Sequence, residues 1–329
     1  MYRRLVVAAA LITFVVVVVG AFVRLSDAGL GCPDWPGCYG QITPTRAKDA
    51  IARAVEEQGG THGPVSMPKA WKEMAHRYIA GFLGVLLAAV ALLGWTRRRE
   101  LGQSPRLPLA LVAVAIFQAT LGMWTVTLLL KPVIVTLHLL GAMTILALVT
   151  WLALRQFPQR PPGPGAAVRR LRPLAALGLF LVALQIALGG WVSSNYAALA
   201  CTDFPLCNGA VLPRMDWSHA FDILRKLGMT TDGAALPNES LVAIHWTHRL
   251  GAYLVLAYSL FLAWQLARVG SMRPLGWLLG VVVIAQFTLG LLNVVLSLPL
   301  GLAAAHNGGA AALLVTLVVI NYKSSLAAR

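Results

Sequence analysis

The chain has 329 residues, of which 58% are hydrophobic and only 12% are charged. Soluble domains average about 25% charged residues, so the composition excludes an ordinary soluble protein and predicts an integral membrane protein. A formal net charge of +15 would suit a nucleic-acid-binding protein. The placement of the basic residues along this chain argues against that class.

Apolar runs of about 20 residues, the length that crosses a bilayer as a helix, recur along the chain. Backbone groups must be paired inside lipid, so runs of this length are predicted to be helices. The first run follows Arg3 and Arg4 and has a repeat counterpart in mid-chain, which favours a retained helix over a cleaved signal peptide. The eight predicted spans are roughly 5–24, 72–95, 108–130, 133–154, 174–195, 241–266, 274–297 and 302–322.

The two halves of the chain repeat one another at offsets of 168 to 172 residues. Such self-similarity predicts one duplicated unit. We therefore predict an all-α integral membrane protein whose eight transmembrane helices form two repeated four-helix bundles. The matching segments are Glu73–Arg77 with His245–Arg249, Cys32–Cys38 with Cys201–Cys207, Gln118–Gly122 with Gln286–Gly290, and His138 with His306.

The predicted domain boundaries follow from the spans and from one segment rich in proline and glycine. Residues 161–165 contain three prolines and two glycines, which do not propagate a helix. We predict an N-terminal repeat over 1–160, a cytoplasmic linker over 161–173 and a C-terminal repeat over 174–329. Each repeat has one long outer loop, and each loop contains a segment that suits either a short amphipathic helix or an ordered loop.

Basic residues set the predicted orientation. With a cytoplasmic N-terminus, the inner ends of the spans hold 15 of the 27 basic residues and only one of the 12 acidic residues. This positive-inside bias places both termini in the cytoplasm and both cysteine loops in the periplasm of a bacterial inner membrane. The basic residues then face anionic lipid rather than nucleic acid.

The four cysteines form two Cys-x5-Cys pairs in the predicted outer loops. Disulfides are the default in an oxidising compartment such as the periplasm. Zinc ligation is the alternative, although the spacing differs from the close pairs of common zinc sites. Whether the first pair also has a redox role stays open.

Four histidines are matched by the repeat and lie roughly 7–10 Å from the outer ends of the predicted spans: His76, His138, His248 and His306. Ionisable residues in spans are usually functional. Two imidazoles at equal depth on facing helices suit the axial positions of a haem iron, whereas a zinc or copper site is the alternative. The glycines expected to leave room for a flat macrocycle are Gly81, Gly141, Gly251, Gly308 and Gly309.

Glu73 lies one helical turn before His76, on the same helix face, whereas the second repeat has His245 at that position. A glutamate favoured by the helix dipole is the structural alternative, but such a cap should be kept in both repeats. We therefore interpret Glu73 as catalytic and His245 as an ambiguous pocket residue. The candidate contacts to haem propionates or to the pocket wall are Arg24, Arg77 and Arg249.

Taken together, these residues resemble the heme A synthase family over all eight predicted spans. The segments that carry the resemblance are Val23–Cys38, Glu73–Arg77, Thr136–His138, His248–Arg249 and His306–Asn307. The resemblance implies an oxidoreductase that converts the C8 methyl of haem O to a formyl group by successive hydroxylations. Its product, haem A, serves the assembly of a terminal oxidase.

The resemblance also implies a role for individual residues. Glu73 is implied to be catalytic, and His76 and His138 are implied to bind haem O as substrate. His248 and His306 are implied to be the axial ligands of the iron of a haem b cofactor. The implied disulfides join Cys32 to Cys38 and Cys201 to Cys207.

The expected partners are the lipid bilayer, haem O synthase, cytochrome oxidase assembly factors and an unidentified electron acceptor. A homo-oligomer is left open, and no nucleic acid is expected.

The alternative function is a di-haem b-type membrane electron-transfer protein. However, all candidate ligands lie in the outer half of the predicted spans, so an electron path would stop midway. A transporter fits less well because repeats of four helices share one orientation, unlike inverted repeats.

Overall fold

A computed structural model describes residues 1–158 and 166–326 of the chain. Within these ranges eight helices are long and apolar enough to cross a membrane and no strand occurs, as the composition and the apolar runs predict. We number these helices in chain order: α1 (Tyr2–Leu25), α2 (Met67–Thr96), α3 (Arg106–Thr127), α4 (Pro132–Leu154), α5 (Ala166–Ser194), α6 (Asn238–Ala267), α7 (Arg273–Val295) and α8 (Leu300–Leu326).

Local signals explain several helix ends. The Ser66 hydroxyl accepts a hydrogen bond from the backbone N–H of Lys69 and so caps α2. The tight turns after α3 and α7 each place two successive residues in the left-handed region, Leu129 and Leu130 in the first turn and Ser297 and Leu298 in the second. Because left-handed residues cannot continue a right-handed helix, both helices end at these turns.

The helices of the two halves make corresponding contacts. Helices α1, α2, α3 and α4 touch in a ring, and α5, α6, α7 and α8 touch in a second ring in the same order. Between the rings, α1 packs on α8, α4 packs on α5, and α4 packs on α8. The largest core cluster is shared, since Val17 and Leu146 of the first ring join Leu262 and Leu314 of the second. The division into two units stays a prediction.

The start of α5 differs from the predicted boundary. Residues 166–173, which we expected to belong to the linker, are helical, and Pro173 lies inside the helix. Val168 and Leu171 are buried, and Leu171 belongs to the shared core cluster, so burial of these side chains stabilises the additional turns. Residues 161–165, with Arg160 and Arg329 of the predicted basic ends, lie outside the described residues.

The two long loops that contain the cysteine pairs differ in their helical content. Lys48–Glu57 of the first loop forms a ten-residue helix, whose Ile51 packs in a buried cluster with Cys32 and Cys38. The second loop has only the short helix Trp217–Ala220 and a 3-10 turn at Ala197–Leu199. Of the two segments expected as helix or ordered loop, the first is therefore a helix and the second is mostly loop.

Candidate functional site

One cavity of about 1510 Å³ lies among the helices of both halves. All four repeat-matched histidines line it, and Glu73 lines it beside His76. The two imidazoles of each predicted pair are near enough to interact electrostatically, His76 with His138 and His248 with His306. The structure therefore brings the predicted ligands together as two pairs that face one continuous space.

A glycine from a neighbouring helix lies against each of these imidazole rings. In the first half, a Cβ atom on Gly20 would lie 2.8 Å from Cε1 of His76, and one on Gly122 would lie 3.0 Å from Cε1 of His138. Carbon atoms normally pack at about 3.5–4.0 Å. A larger residue at either position would therefore push the imidazole out of its place.

The second half repeats this arrangement. A Cβ atom on Gly189 would lie 3.1 Å from Cε1 of His248, and one on Gly290 would lie 3.0 Å from Cε1 of His306. The sequence interpretation missed these four glycines as site residues. The signal was available, because Gly20 and Gly189 share the 169-residue offset of the cysteine pairs, and Gly122 and Gly290 end a matched segment.

The glycines that the sequence analysis predicted near the haems do not lie against the histidine rings. A Cβ atom on Gly141, Gly251 or Gly309 would collide with the side-chain amide of a glutamine. These three glycines therefore make room for glutamine side chains, and their role beside a macrocycle stays a prediction. Gly81 has no heavy atom within 4 Å of a Cβ position, and Gly308 faces a methyl of Val18.

These glutamines contact the histidines. Gln118 Nε2 donates to the backbone oxygen of His138 at 2.8 Å, and Gln286 Nε2 lies 3.5 Å from Nε2 of His306. Gln185 Nε2 donates to the backbone oxygen of His248 at 2.9 Å and lies 3.0 Å from its Nδ1. The counterpart of Gln185 in the first half is Val16, so His76 lacks this neighbour.

The histidine pairs fit a haem better than a free metal ion. All four imidazole rings line the cavity, whereas the Nδ1 atoms of His76, His138 and His306 are buried and have no hydrogen-bond partner. Among the described residues no three histidine, cysteine, aspartate or glutamate side chains are grouped as a metal site. Ordinary zinc sites take three or four protein ligands, whereas haem iron takes two axial ligands.

Glu73 connects the first histidine pair to the first cysteine loop. Its side chain is buried, with 4% of the residue exposed. The backbone N–H of Cys32 donates to Oε2 at 3.0 Å, and Nη2 of Arg77 donates to Oε1 at 2.5 Å. Arg77 also donates through Nη1 to the backbone oxygens of Asp34 at 2.7 Å and Gly37 at 2.5 Å. The carboxylate is therefore held at the cavity wall by the loop and by Arg77.

The second half keeps the arginine and replaces the carboxylate. Arg249 donates through Nη1 to the backbone oxygens of Asp203 at 2.9 Å and Leu206 at 2.8 Å, which are the repeat counterparts of Asp34 and Gly37. Its Nε donates to Nε2 of His245 at 3.0 Å, and Nδ1 of His245 lies 2.9 Å from the backbone oxygen of Ala197. Both ring nitrogens of His245 therefore have partners within the protein.

Both cysteine loops have the same internal structure. The sulfur atoms are 2.08 Å apart in the Cys32–Cys38 pair and 1.96 Å apart in the Cys201–Cys207 pair. Within the second loop, the Asp203 carboxylate accepts hydrogen bonds from the backbone N–H groups of Asn208 and Gly209. These bonds, above all the one from Gly209, lower the pKa of Asp203. Asp34 accepts the equivalent pair of bonds in the first loop.

Arg24 lies where the C-terminal ends of α1 and α5 meet. Its Nη2 donates to the backbone oxygen of Ser193 at 2.9 Å, and its guanidinium carbon lies 4.2 Å from the ring centroid of Tyr196. The Tyr196 hydroxyl donates to Asp27 at 2.9 Å, and burial raises the pKa of this phenol above its ordinary value of 10.0. Arg24 lines the cavity and also lies 3.7 Å from the Asp27 carboxylate through Nη1, so its guanidinium already has an anionic neighbour.

The model of the COX15-CtaA family, described as cytochrome oxidase assembly protein, matches residues 3–318. The chain belongs to this family. A relative from Shewanella oneidensis named heme A synthase is 43% identical over 94% of this chain and 92% of its own length. A relative of the same name from Hyphomonas neptunium is 30% identical over 93% of this chain and 88% of its own length. Another, from Methylobacterium radiotolerans, is 30% identical over 96% of this chain and 87% of its own length. The resemblance to the heme A synthase family is therefore confirmed.

Proposed function

We propose that the chain is a heme A synthase of a bacterial membrane, which oxidises a methyl group of haem O to the formyl group of haem A. Membership of the family and relatives of that name support this activity. One observation carries the assignment of residues. Among the described residues, two equivalent histidine pairs open onto one cavity, and a buried carboxylate, Glu73, lies beside the first pair alone.

The first half is proposed to bind the substrate. His76 and His138 would hold the iron of haem O, with Gly20 and Gly122 leaving space for their imidazoles. With water as the source of the added oxygen atom, oxidation of a methyl to a formyl group releases four electrons and four protons. The site must therefore release protons and pass electrons to an acceptor.

Glu73 is proposed to act on the substrate methyl. A buried carboxylate at the cavity wall accepts a proton that the reaction releases, or stabilises positive charge that develops beside it. The Cys32 backbone N–H and Arg77 each bind one carboxylate oxygen, so the group has a fixed position before the substrate arrives. Such preorganisation is what gives an electrostatic group its effect in catalysis.

The second half is proposed to bind a haem b cofactor through His248 and His306. When bound, this haem supplies one-electron transfer, at a potential that its axial ligands and burial set. Gln185 would orient His248 for this task, as outer hydrogen bonds orient metal-binding histidines in general. His245, with both ring nitrogens already bonded, would shape the pocket rather than act as a ligand.

The orientation in the membrane is also a proposal. The basic residues at one end of the spans place both termini in the cytoplasm, and the two disulfide loops then face the periplasm, where such bonds persist.

Haem O synthase would supply the substrate, and cytochrome oxidase assembly factors would receive the product. The electron acceptor is unidentified, and a homo-oligomer is compatible with the fold. A di-haem electron-transfer protein is not favoured, since it gives Glu73 no role.

The haems carried by the protein provide the test. Wild-type protein and the Glu73→Gln variant would be purified from cells that make haem O, and their haems separated by reverse-phase chromatography. We expect haem b together with haem O or haem A in the wild type, and haem b with haem O but no haem A in the variant. Haem b alone in the wild type would support the electron-transfer alternative instead.

A further inference from the structure

The two helix rings differ at one seam. In the second half, α6 and α7 pack against each other, and Tyr253 of α6 contacts Phe287 of α7 with ring centroids 5.8 Å apart. Leu256 and Val283 line the cavity beneath this pair, and Val283 is only 2% exposed. The cavity of the second half is therefore closed between these two helices by large apolar side chains.

The corresponding positions of the first half all carry small residues. Gly81, Gly84, Ala115 and Ala119 stand where the second half has Tyr253, Leu256, Val283 and Phe287. A Cβ atom on Gly81 or Gly84 would meet no heavy atom within 4 Å. All four small residues line the cavity, together with Phe82, which is 61% exposed. The first half is therefore open to the side between α2 and α3.

Small residues often let two helices pack closely, but here they do not. Helices α2 and α3 are in less extensive contact than α6 and α7, and the four small residues line the same cavity as His76 and His138. Gly81 and Gly84 lie about 8 and 12 Å further along α2 than His76, on the side towards the middle of the membrane.

We propose that the seam between α2 and α3 is a lateral portal for the isoprenoid chain of the substrate haem, and that the Tyr253–Phe287 pair closes the matching seam against such a chain. This inference rests on the proposed function, because haem O differs from haem b in carrying a long apolar chain. Leaving the chain in lipid costs little, since lipid is as apolar as the protein core. The seam would then decide which half takes the substrate and which takes the cofactor.

The decisive variant transfers the closed seam to the first half. Gly81→Tyr with Ala119→Phe introduces the two aromatic residues of the second half, and the open space at Gly81 admits a side chain without backbone movement. The matched control is Ala88→Tyr with Ala113→Phe, at exposed positions of the same helices that do not line the cavity. Each protein is purified from cells that make haem O, and bound haem O plus haem A is measured relative to haem b.

We expect the closed variant to lose farnesylated haem about tenfold or more, as overpacked sites do, while keeping haem b in the second half. The control should match the wild type. A second probe is haem b alone, added to protein stripped of haem. Because haem b has no isoprenoid chain, the closed variant and the wild type should bind it equally in the first half.

The outcomes separate the portal from the proposed function. A closed variant that carries and converts haem O as the wild type does would overturn the portal and leave the function standing. A wild type without farnesylated haem and without haem A production would overturn the function itself. If the closed variant also loses the second haem, a second variant tests the portal by opening the seam of the second half. Tyr253→Gly with Phe287→Ala should then admit haem O to the second half. Exclusion of haem O from that opened half would refute the portal.

Discussion

The first and second cysteine loops are attached to their helices in the same way, yet the residue at the centre of each attachment differs. Arg77 and Arg249 bind the same two backbone oxygens of their loops. Beside them, Glu73 presents a carboxylate to the cavity, whereas His245 is bonded on both nitrogens. A shared scaffold thus holds an acidic group in one half and a saturated pocket residue in the other.

The same contrast extends through the cavity. The glycines that support the four imidazoles are alike in both halves, as binding of similar groups requires. The residues around these glycines differ between the halves. At matched positions the first half has Glu73, Val16 and Gly81, where the second half has His245, Gln185 and Tyr253. The shared residues therefore suit haem ligation in general, and the differing residues suit a substrate in one half and a retained cofactor in the other.

Removing an axial ligand should have the largest effect, and it should be specific to one half. We expect His248→Ala or His306→Ala to abolish the visible spectrum of haem b, because one remaining imidazole does not complete the axial pair. His76→Ala and His138→Ala should keep that spectrum and lose bound haem O. Optical spectra with chromatographic haem analysis measure both. A haem b spectrum that depends on His76 and not on His248 would reverse the assignment of the halves.

Glu73 should affect turnover far more than binding. Glu73→Gln keeps the shape and one hydrogen-bond acceptor but removes the charge, so haem content should be unchanged. Haem A formation should fall about 100-fold or more, as when an acid–base group is lost. The paired variant Glu73→His makes the first half resemble the second, and we expect it to bind haem O without oxidising it. Normal haem A formation in Glu73→Gln would remove the carboxylate from the mechanism.

The supporting glycines offer a finer test of the equivalence of the halves. Gly122→Val should displace His138 and weaken binding of the substrate haem, whereas Gly290→Val should displace His306 and weaken binding of haem b. Overpacking typically costs about 1–3 kcal/mol, so we expect roughly tenfold weaker binding in the affected half only. Haem titration of each purified variant measures this. Equal weakening in both halves would indicate a general loss of structure rather than a local collision.

The eight spans, the four histidines and Glu73 follow from the sequence because each has a strong local signal, such as a 20-residue apolar run or an ionisable group inside it. Gly20 and Gly189 carry no such signal, since glycine is common in membrane helices and only tertiary packing shows which glycine faces a ring. The predicted start of α5 at residue 174 is wrong for a related reason, since the helix begins at Ala166. Pro173 signals a break, but burial of Leu171 in a core formed by both halves outweighs it.

Gln185→Leu perturbs one histidine without removing or displacing it, and it gives the clearest contrast between the halves. Gln185→Leu removes the amide beside Nδ1 of His248 and the bond to its backbone oxygen, and loss of such an outer partner typically weakens metal binding about tenfold. Val16→Leu is the matched control, because the first half has no amide at this position. We expect haem b to dissociate faster from Gln185→Leu, with a shifted reduction potential, while Val16→Leu changes neither. Redox titration of the bound haem measures the potential. An unchanged potential would mean that the amide only fills the space beside Gly251, and the polarity of this position would then play no part in distinguishing the two halves.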